Sequence, residues 1–507
     1  MLRFIKLSEI PLSLSWDEAA IGWNAKTMWN TRRDEYGIRL PLSFKSFGDY
    51  KAPAYIYLTA PVVGILGMGE FSVRFVSAFS GALSIIVIFF ITKELLGFDK
   101  KRNKKQIELT AFASSLFLAI TPWHLLLSRP AMEASLALLC ILIGTWMFLA
   151  GVKKKPYLLL LSMVFFPLSF YCYHSSKIFV PVFIPILFIV FWNKLFSKRA
   201  FLWTVSSIIL GLAITAPIAR SILFSQGAER FQSTSIFYTP EGEKRAITSE
   251  LVTQISTNYV VHYSPRFLFE GEIGNPRAQM RKIGPLLLIE APFLIIGLIL
   301  LIKKRKEKWA QLLLGWLLIG PIPAVVGFEV PHPIRAFNIL PPLIIISAFG
   351  LVKGFEFIKG KQKRETILVL LGLFFLINSA YFFYRYFSVY PAYSAPDWQY
   401  GYKQVAKITR EYENQVDRII MTSAYGQPHI FMYFYQDRDP QEVFWGVMGK
   451  YLFRDLKWDE DPRIENVLLV GTPKEIPENA EGIIEEINFP DGNTAFRIIK
   501  TKDIADD

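Results

Sequence analysis

An adjacent acid pair, Asp17 and Glu18, precedes a Gly-Asp-Tyr-Lys-Ala-Pro segment at residues 48–53. A carboxylate can take a proton from a hydroxyl, and a lysine or arginine can stabilise a departing anion. Three further polar clusters repeat this mixture of acids and bases. Asp49 stands two residues before Lys51. Ser128 and Arg129 precede Glu133, and the i, i+4 spacing puts Arg129 and Glu133 on one helix face. The last cluster joins Asn258, His262 and Arg266 to His332 and Arg335. Plainer readings stand beside the chemical ones. Asp17 and Glu18 suit the N-terminus of a helix, Arg129 and Glu133 a structural ion pair, and His262 an ordinary loop histidine. Lys51 suits a side chain snorkelling to lipid headgroups, and Arg335 an interfacial anchor. What gives the clusters joint weight is the architecture that has to place them.

The chain has 507 residues, 52% of them hydrophobic and 15% aromatic. Its mean hydropathy is +0.31. Apolar runs of about 20 residues are long enough to cross a bilayer as helices. Ten such runs fall near 72–96, 108–127, 130–150, 157–173, 177–194, 200–219, 283–303, 309–327, 335–353 and 366–386. The stretch 53–67, with two prolines and two glycines, reads as a juxtamembrane helix lying on the surface. Net charge is +13, but the surplus sits in FDKKRNKKQ, VKKKP, NKLFSKRA, KKRKEK and KGKQKRE, at every second connection. The positive-inside rule makes those loops cytoplasmic and removes any need for a nucleic-acid partner. Residues 1–71, the loop 220–282 and everything after 387 then lie outside the cytoplasm, in a multi-pass protein of the cell membrane. All four polar clusters fall on that outer face. A polar, basic N-terminal stretch there implies a further membrane helix ahead of Met1, for eleven spans in all. Cys140 and Cys172, the two cysteines, both lie in apolar runs, which excludes a disulfide framework or a multi-cysteine metal site. After a linker at 390–398, the helical stretch 402–412 and the runs RIIMTSA, ENVLLVG and GIIEEINF predict a small α/β domain. It offers no acid–base constellation, so a non-catalytic role is expected of it.

At the clusters the chain resembles a known family. PLSLSWDE (11–18), GDYKAPAYIY (48–57), EFSVR (70–74), SRPAMEASLALL (128–139) and HPIRAFNILPPL (332–343) look like outer-loop segments of the C-type (GT-C) glycosyltransferases. Within these it is similar to family 39, the protein O-mannosyltransferases and the lipid A aminoarabinose transferases. The resemblance covers roughly residues 8–400. It implies a mainly helical membrane bundle that moves a sugar from a polyprenyl-phosphate donor to an acceptor hydroxyl of a protein, lipid or glycan. Carried over by position, Asp17 is the general base, with Glu18 beside it. Lys51 and Arg335 hold the donor phosphate. Arg129 faces the same phosphate or, with Glu133, orders the loop. Asp49, His262, Arg266 and His332 remain further site candidates.

The chain also departs from the pattern. The aminoarabinose branch has an acid directly before the lysine that helps to hold a metal, and here Tyr50 occupies that place. Asp49 and His262 are the residues left for any divalent cation. The large soluble insertions of the O-mannosyltransferases are absent from the 220–282 loop. The competing class is a lipid or glycan transporter, which would carry ionisable groups at the bilayer midplane and inverted repeats. Glu290 is the main deep charge and no repeat is visible, so the enzyme reading is favoured. An inactive membrane scaffold that binds glycan is the third alternative.

Overall fold

In the computed structural model the described residues are 1–99, 102–224, 235–239, 242–271, 276–443 and 448–502. Part of the first basic loop and parts of the 220–282 loop lie outside them. The chain divides into two compact units. One comprises Met1–Ile5, Asp49–Ala52 and Ser77–Tyr384, and the other Lys6–Gly48, Pro53–Val76 and Arg385–Asp507.

The first unit is a helix bundle. Among the described residues, seven helical segments are long and apolar enough to cross a membrane: Glu70–Leu96, Glu133–Lys153, Ser176–Leu195, Phe201–Ser221, Lys308–Val325, Phe337–Glu356 and Lys361–Ser394. Three of the ten expected spans are shorter as helices, and backbone chemistry explains each. The run 108–127 is split into Lys104–Ile120 and Pro122–Leu127. Pro122 lacks an N–H and pushes Thr121 into extended backbone (ψ 126°). The run 157–173 is helical over Leu158–Cys172, 15 residues, with Pro167 inside. The run 283–303 is α-helical only over Ala291–Lys303, after a 3₁₀ turn at Leu288–Glu290. Gly284 there packs so tightly on the backbone of Leu268 and Phe269 that no side chain would fit. The stretch 53–67 contains the short apolar helix Pro53–Leu66.

Helices in this bundle meet through small residues, as lipid-embedded helices do. Gly297 and Gly350 let Ala291–Lys303 and Leu340–Glu356 come together until backbone meets backbone. The Ser162 hydroxyl donates to the Gly144 carbonyl (2.8 Å), tying Leu158–Cys172 to Glu133–Lys153. Cys140 and Cys172 are buried with free thiols, their sulfurs 3.9 Å apart.

The second unit contains the helices Trp16–Thr31 and Pro53–Leu66 and a five-stranded sheet. With β1 at Phe44–Ser46 and β2 at Asp49–Lys51, the sheet strands are β3 (Arg418–Met421), β4 (Tyr451–Phe453), β5 (Val467–Gly471), β6 (Ile483–Asn488) and β7 (Thr494–Lys500). Their order is β4-β3-β5-β7-β6. β3 runs parallel to both neighbours, while β7 is antiparallel to β5 and β6. β5 is buried along its whole length, as expected of a continuous apolar run in mid-sheet. The three strands anticipated from sequence are β3, β5 and β6, and the structure adds β4 and β7. The amphipathic helix Tyr402–Tyr412 turns Tyr402, Val405, Ala406 and Thr409 inward. It packs on Pro428–Tyr435, where Tyr402 stacks on Phe431 at 4.3 Å.

Candidate functional site

In the second unit the acid pair opens the Trp16–Thr31 helix, and the structure separates its two members. Ser15 caps the helix, accepting from the Glu18 N–H (3.3 Å), while a Glu18 carboxylate oxygen accepts from the Ser15 N–H (3.1 Å). This is a reciprocal capping box. The other oxygen of Glu18 accepts from Arg74 Nε at 3.0 Å, and the pair is sealed from solvent. Arg74 also donates to the carbonyls of Leu7 (3.0 Å), Pro11 (3.0 Å) and Ser13 (2.7 Å). One guanidinium thus gathers residues 7–13 at the start of the helix. Asp17, a half-buried neighbour in the same first turn, points elsewhere, because successive helical side chains diverge by about 100°. The helix start is further fixed by the Trp16 N–H donating to Gln399 Oε1 (2.8 Å) and the Leu14 N–H to the Tyr435 hydroxyl (3.4 Å). Arg74 belongs to the EFSVR segment. Its signal was a basic residue at the head of an apolar span, but its partner could not be read from spacing.

The remaining candidates lie in the bundle unit. Lys51 ends β2 and is 9% exposed. Beside it, His174 Nε2 lies 3.0 Å from the Tyr50 carbonyl, and Lys177 Nζ lies 3.2 Å from His174 Nδ1. Neither His174 nor Lys177 was singled out from sequence as a site residue. Asp49, half-buried, accepts from the Tyr50 N–H (2.7 Å). Arg129 is fully buried and donates to the carbonyls of Leu2 (2.8 Å) and Arg3 (3.4 Å). Arg3, also buried, donates to the Leu118 carbonyl at 3.0 Å and lies 2.6 Å from His124 Nδ1. Arg129 is therefore engaged with backbone at the start of the chain. Glu133 begins its helix half-buried, and Arg266 is exposed in the Arg266–Glu270 turn.

The fourth cluster comes together in part. His262 is 0% exposed and lies 2.7 Å from the Asn258 carbonyl through Nδ1, while its Nε2 accepts from the His332 N–H (3.2 Å). A carbonyl only accepts, so Nδ1 carries the proton and Nε2 the lone pair. Asn258 in turn donates to the Val325 carbonyl at 3.0 Å. Burial pushes the His262 imidazolium down to about 4. Burial, then Arg335, then His262 push that of His332 down to about 3. Arg335 is half-buried on the chain that follows, its N–H 3.4 Å from His332 Nδ1. Among the described residues its guanidinium has neither a hydrogen-bond nor an ion-pair partner.

The residues do not fit a metal centre. Both ring nitrogens of His262 are occupied by backbone groups, so coordination would break one of those bonds. Among the described residues no three His, Cys, Asp or Glu side chains converge. His262 instead predicts a pH effect. Its folded value, about 4, lies below the ordinary histidine value near 6.5. The unfolded chain therefore binds more protons in this window, and stability is full above about pH 6.5 and falls towards pH 4. A thermal-melt series should show that decline, and His262→Gln should flatten it by on the order of 3 kcal/mol. An unchanged slope in the variant would refute the assignment.

The fold is that of the C-type glycosyltransferases, built on a multi-pass membrane bundle. Apo ArnT from Cupriavidus metallidurans superposes with a TM-score of 0.58 at 11% identity, covering 98% of this chain and 95% of that one. The same protein bound to undecaprenyl phosphate gives 0.54 at 12% identity, with the same coverage. The apo oligosaccharyltransferase of Archaeoglobus fulgidus gives 0.50 at 14% identity, covering 93% of this chain and 68% of that one. Within this fold, residues 50–219 match the sequence model of the dolichyl-phosphate-mannose-protein mannosyltransferase family. No curated protein sequence matches the chain.

Proposed function

We propose that this protein transfers a sugar, hexosyl or pentosyl, from a polyprenyl-phosphate-linked donor to an acceptor hydroxyl on the extracytoplasmic face of the cell membrane. The observation that carries this reading is Arg335. Among the described residues this half-buried guanidinium has neither a hydrogen-bond nor an ion-pair partner, and its planar fork of donors suits the oxygens of a phosphate. The C. metallidurans ArnT of the same fold was captured with undecaprenyl phosphate, which supports a lipid phosphate as that anion.

The roles then follow from charge. Cleavage of the bond between the sugar C1 and the phosphate oxygen leaves positive charge at C1 and negative charge on the phosphate. Arg335 and Lys51 stabilise the leaving phosphate. Asp17 takes the acceptor hydroxyl's proton as the new C1–O bond forms. Glu18, already paired with Arg74, holds the Asp17 turn in place. The C-terminal sheet domain has no part in the bond exchange.

A panel of polyprenyl-phosphate sugars, followed by release of polyprenyl phosphate, tests the reading. Replacing Arg335 or Lys51 by Ala removes a charge-assisted hydrogen bond, so donor KM should rise about 10- to 100-fold. Among the described residues Arg335 has no side-chain partner to lose, so Arg335→Ala should leave the melting temperature nearly unchanged. A parental KM in folded Arg335→Ala protein would sink the proposal.

A further inference from the structure

We propose that Lys177 and His174 form a positioning relay that sets where Lys51 stands. This inference rests on Lys51 holding the donor phosphate. The proton assignment is forced by the partners. Tyr50 offers a carbonyl, which only accepts, so His174 Nε2 carries a proton and donates to it at 3.0 Å. His174 Nδ1 then keeps its lone pair, and the Lys177 ammonium donates into it at 3.2 Å. A second proton on the ring would set an N–H against the ammonium, so Lys177 maintains the tautomer that grips Tyr50.

The grip falls on a segment that needs it. Asp49–Lys51 is a strand of only three residues. Yet Asp49–Ala52 groups with the helix bundle, whereas the chain on both sides of it groups with the other unit. His174 stands in the turn between Leu158–Cys172 and Ser176–Leu195, so it joins this short piece to two bundle helices. Lys51 is bonded directly to Tyr50, and a side chain on a residue only 9% exposed has little room to compensate for a backbone that drifts. Neither His174 nor Lys177 need touch the donor. They act through the Tyr50 carbonyl.

The experiment measures the Kd of undecaprenyl phosphate for the full chain in detergent, with a thermal melt of each variant. His174→Ala should weaken binding about tenfold. His174→Gln should recover most of it, because its amide nitrogen lies near the place of Nε2 and donates to the same carbonyl. A role in folding alone would not give that recovery at an unchanged melting temperature. Lys177→Met, of similar length but without charge, should weaken binding less than His174→Ala, and it carries the test if His174→Ala does not fold. A parental Kd for His174→Ala or for Lys177→Met overturns the relay, and so does His174→Gln binding as poorly as the alanine variant. Lys51→Ala in the same assay separates the two levels. If Lys51→Ala binds normally, the phosphate role of Lys51 falls and the relay with it. If Lys51→Ala binds poorly while His174→Ala binds normally, only the relay falls.

Discussion

Asp17→Asn should lower turnover by about 10² to 10⁴ while leaving donor affinity within a few-fold of the parent. The asparagine has the same shape and still hydrogen-bonds, but it cannot accept the acceptor's proton. The neighbouring carboxylate is a poor substitute. Both Glu18 oxygens are already committed, one to Arg74 Nε and the other to the Ser15 N–H, and the pair is closed to solvent. A base must reach its proton within hydrogen-bonding distance, so a sealed carboxylate cannot take over. Steady-state rates with saturating donor, beside a donor-binding titration, check the claim. Turnover near the parental value in folded Asp17→Asn protein would place the base elsewhere and leave the acid pair as a helix cap.

Arg74→Met should be strongly destabilising to the second unit. It strands the Glu18 carboxylate in a sealed site and leaves three carbonyls, of Leu7, Pro11 and Ser13, without their donor. Removing one partner of a buried ion pair typically costs about 3–5 kcal/mol. The double change Arg74→Met with Glu18→Gln should regain part of that loss, because no uncompensated charge remains. Melting curves of both variants in detergent decide it. An Arg74→Met protein as stable as the parent would show that the pair contributes nothing.

Much of the membrane architecture was legible because hydrophobic length is additive along the chain. Interruptions were less so. A hydropathy window counts Thr121 and Pro122 as ordinary members of an apolar run, whereas the helix feels the missing N–H and stops. In the C-terminal domain β3 and β5 announced themselves as short β-branched runs. β4 is three residues long, and β7 mixes Thr, Arg and Lys into its apolar residues, so only pairing with neighbours makes either a strand. The candidate site divides in the same way. Asp17 stood out as one of an adjacent acid pair, and Lys51 and Arg335 as cations just ahead of apolar helices. The commitment of Glu18 did not, because Arg74 lies 56 residues away. His262 could be read either as an ordinary loop histidine or as a site candidate, and its spacing did not reveal that Asn258 and His332 claim both nitrogens. His174, in a short turn between spans, and Lys177, in the first turn of Ser176–Leu195, were hidden because a basic residue at the mouth of a span is ordinary.

The second unit is assembled from chain segments that the ribosome makes far apart in time. The acid helix is completed early, but Trp16 is held by Gln399, Leu14 by Tyr435, Lys26 by Asp437 and Glu70 by Lys403. At 5–20 residues per second, those partners follow roughly 15 to 90 s after the residues they hold. Until then the Asp17 turn has its own cap and Arg74, but not its later scaffold. A nascent or prematurely terminated chain therefore presents the acid helix without the scaffold that Gln399, Lys403, Tyr435 and Asp437 supply, and completion of translation doubles as the step that fixes it in place.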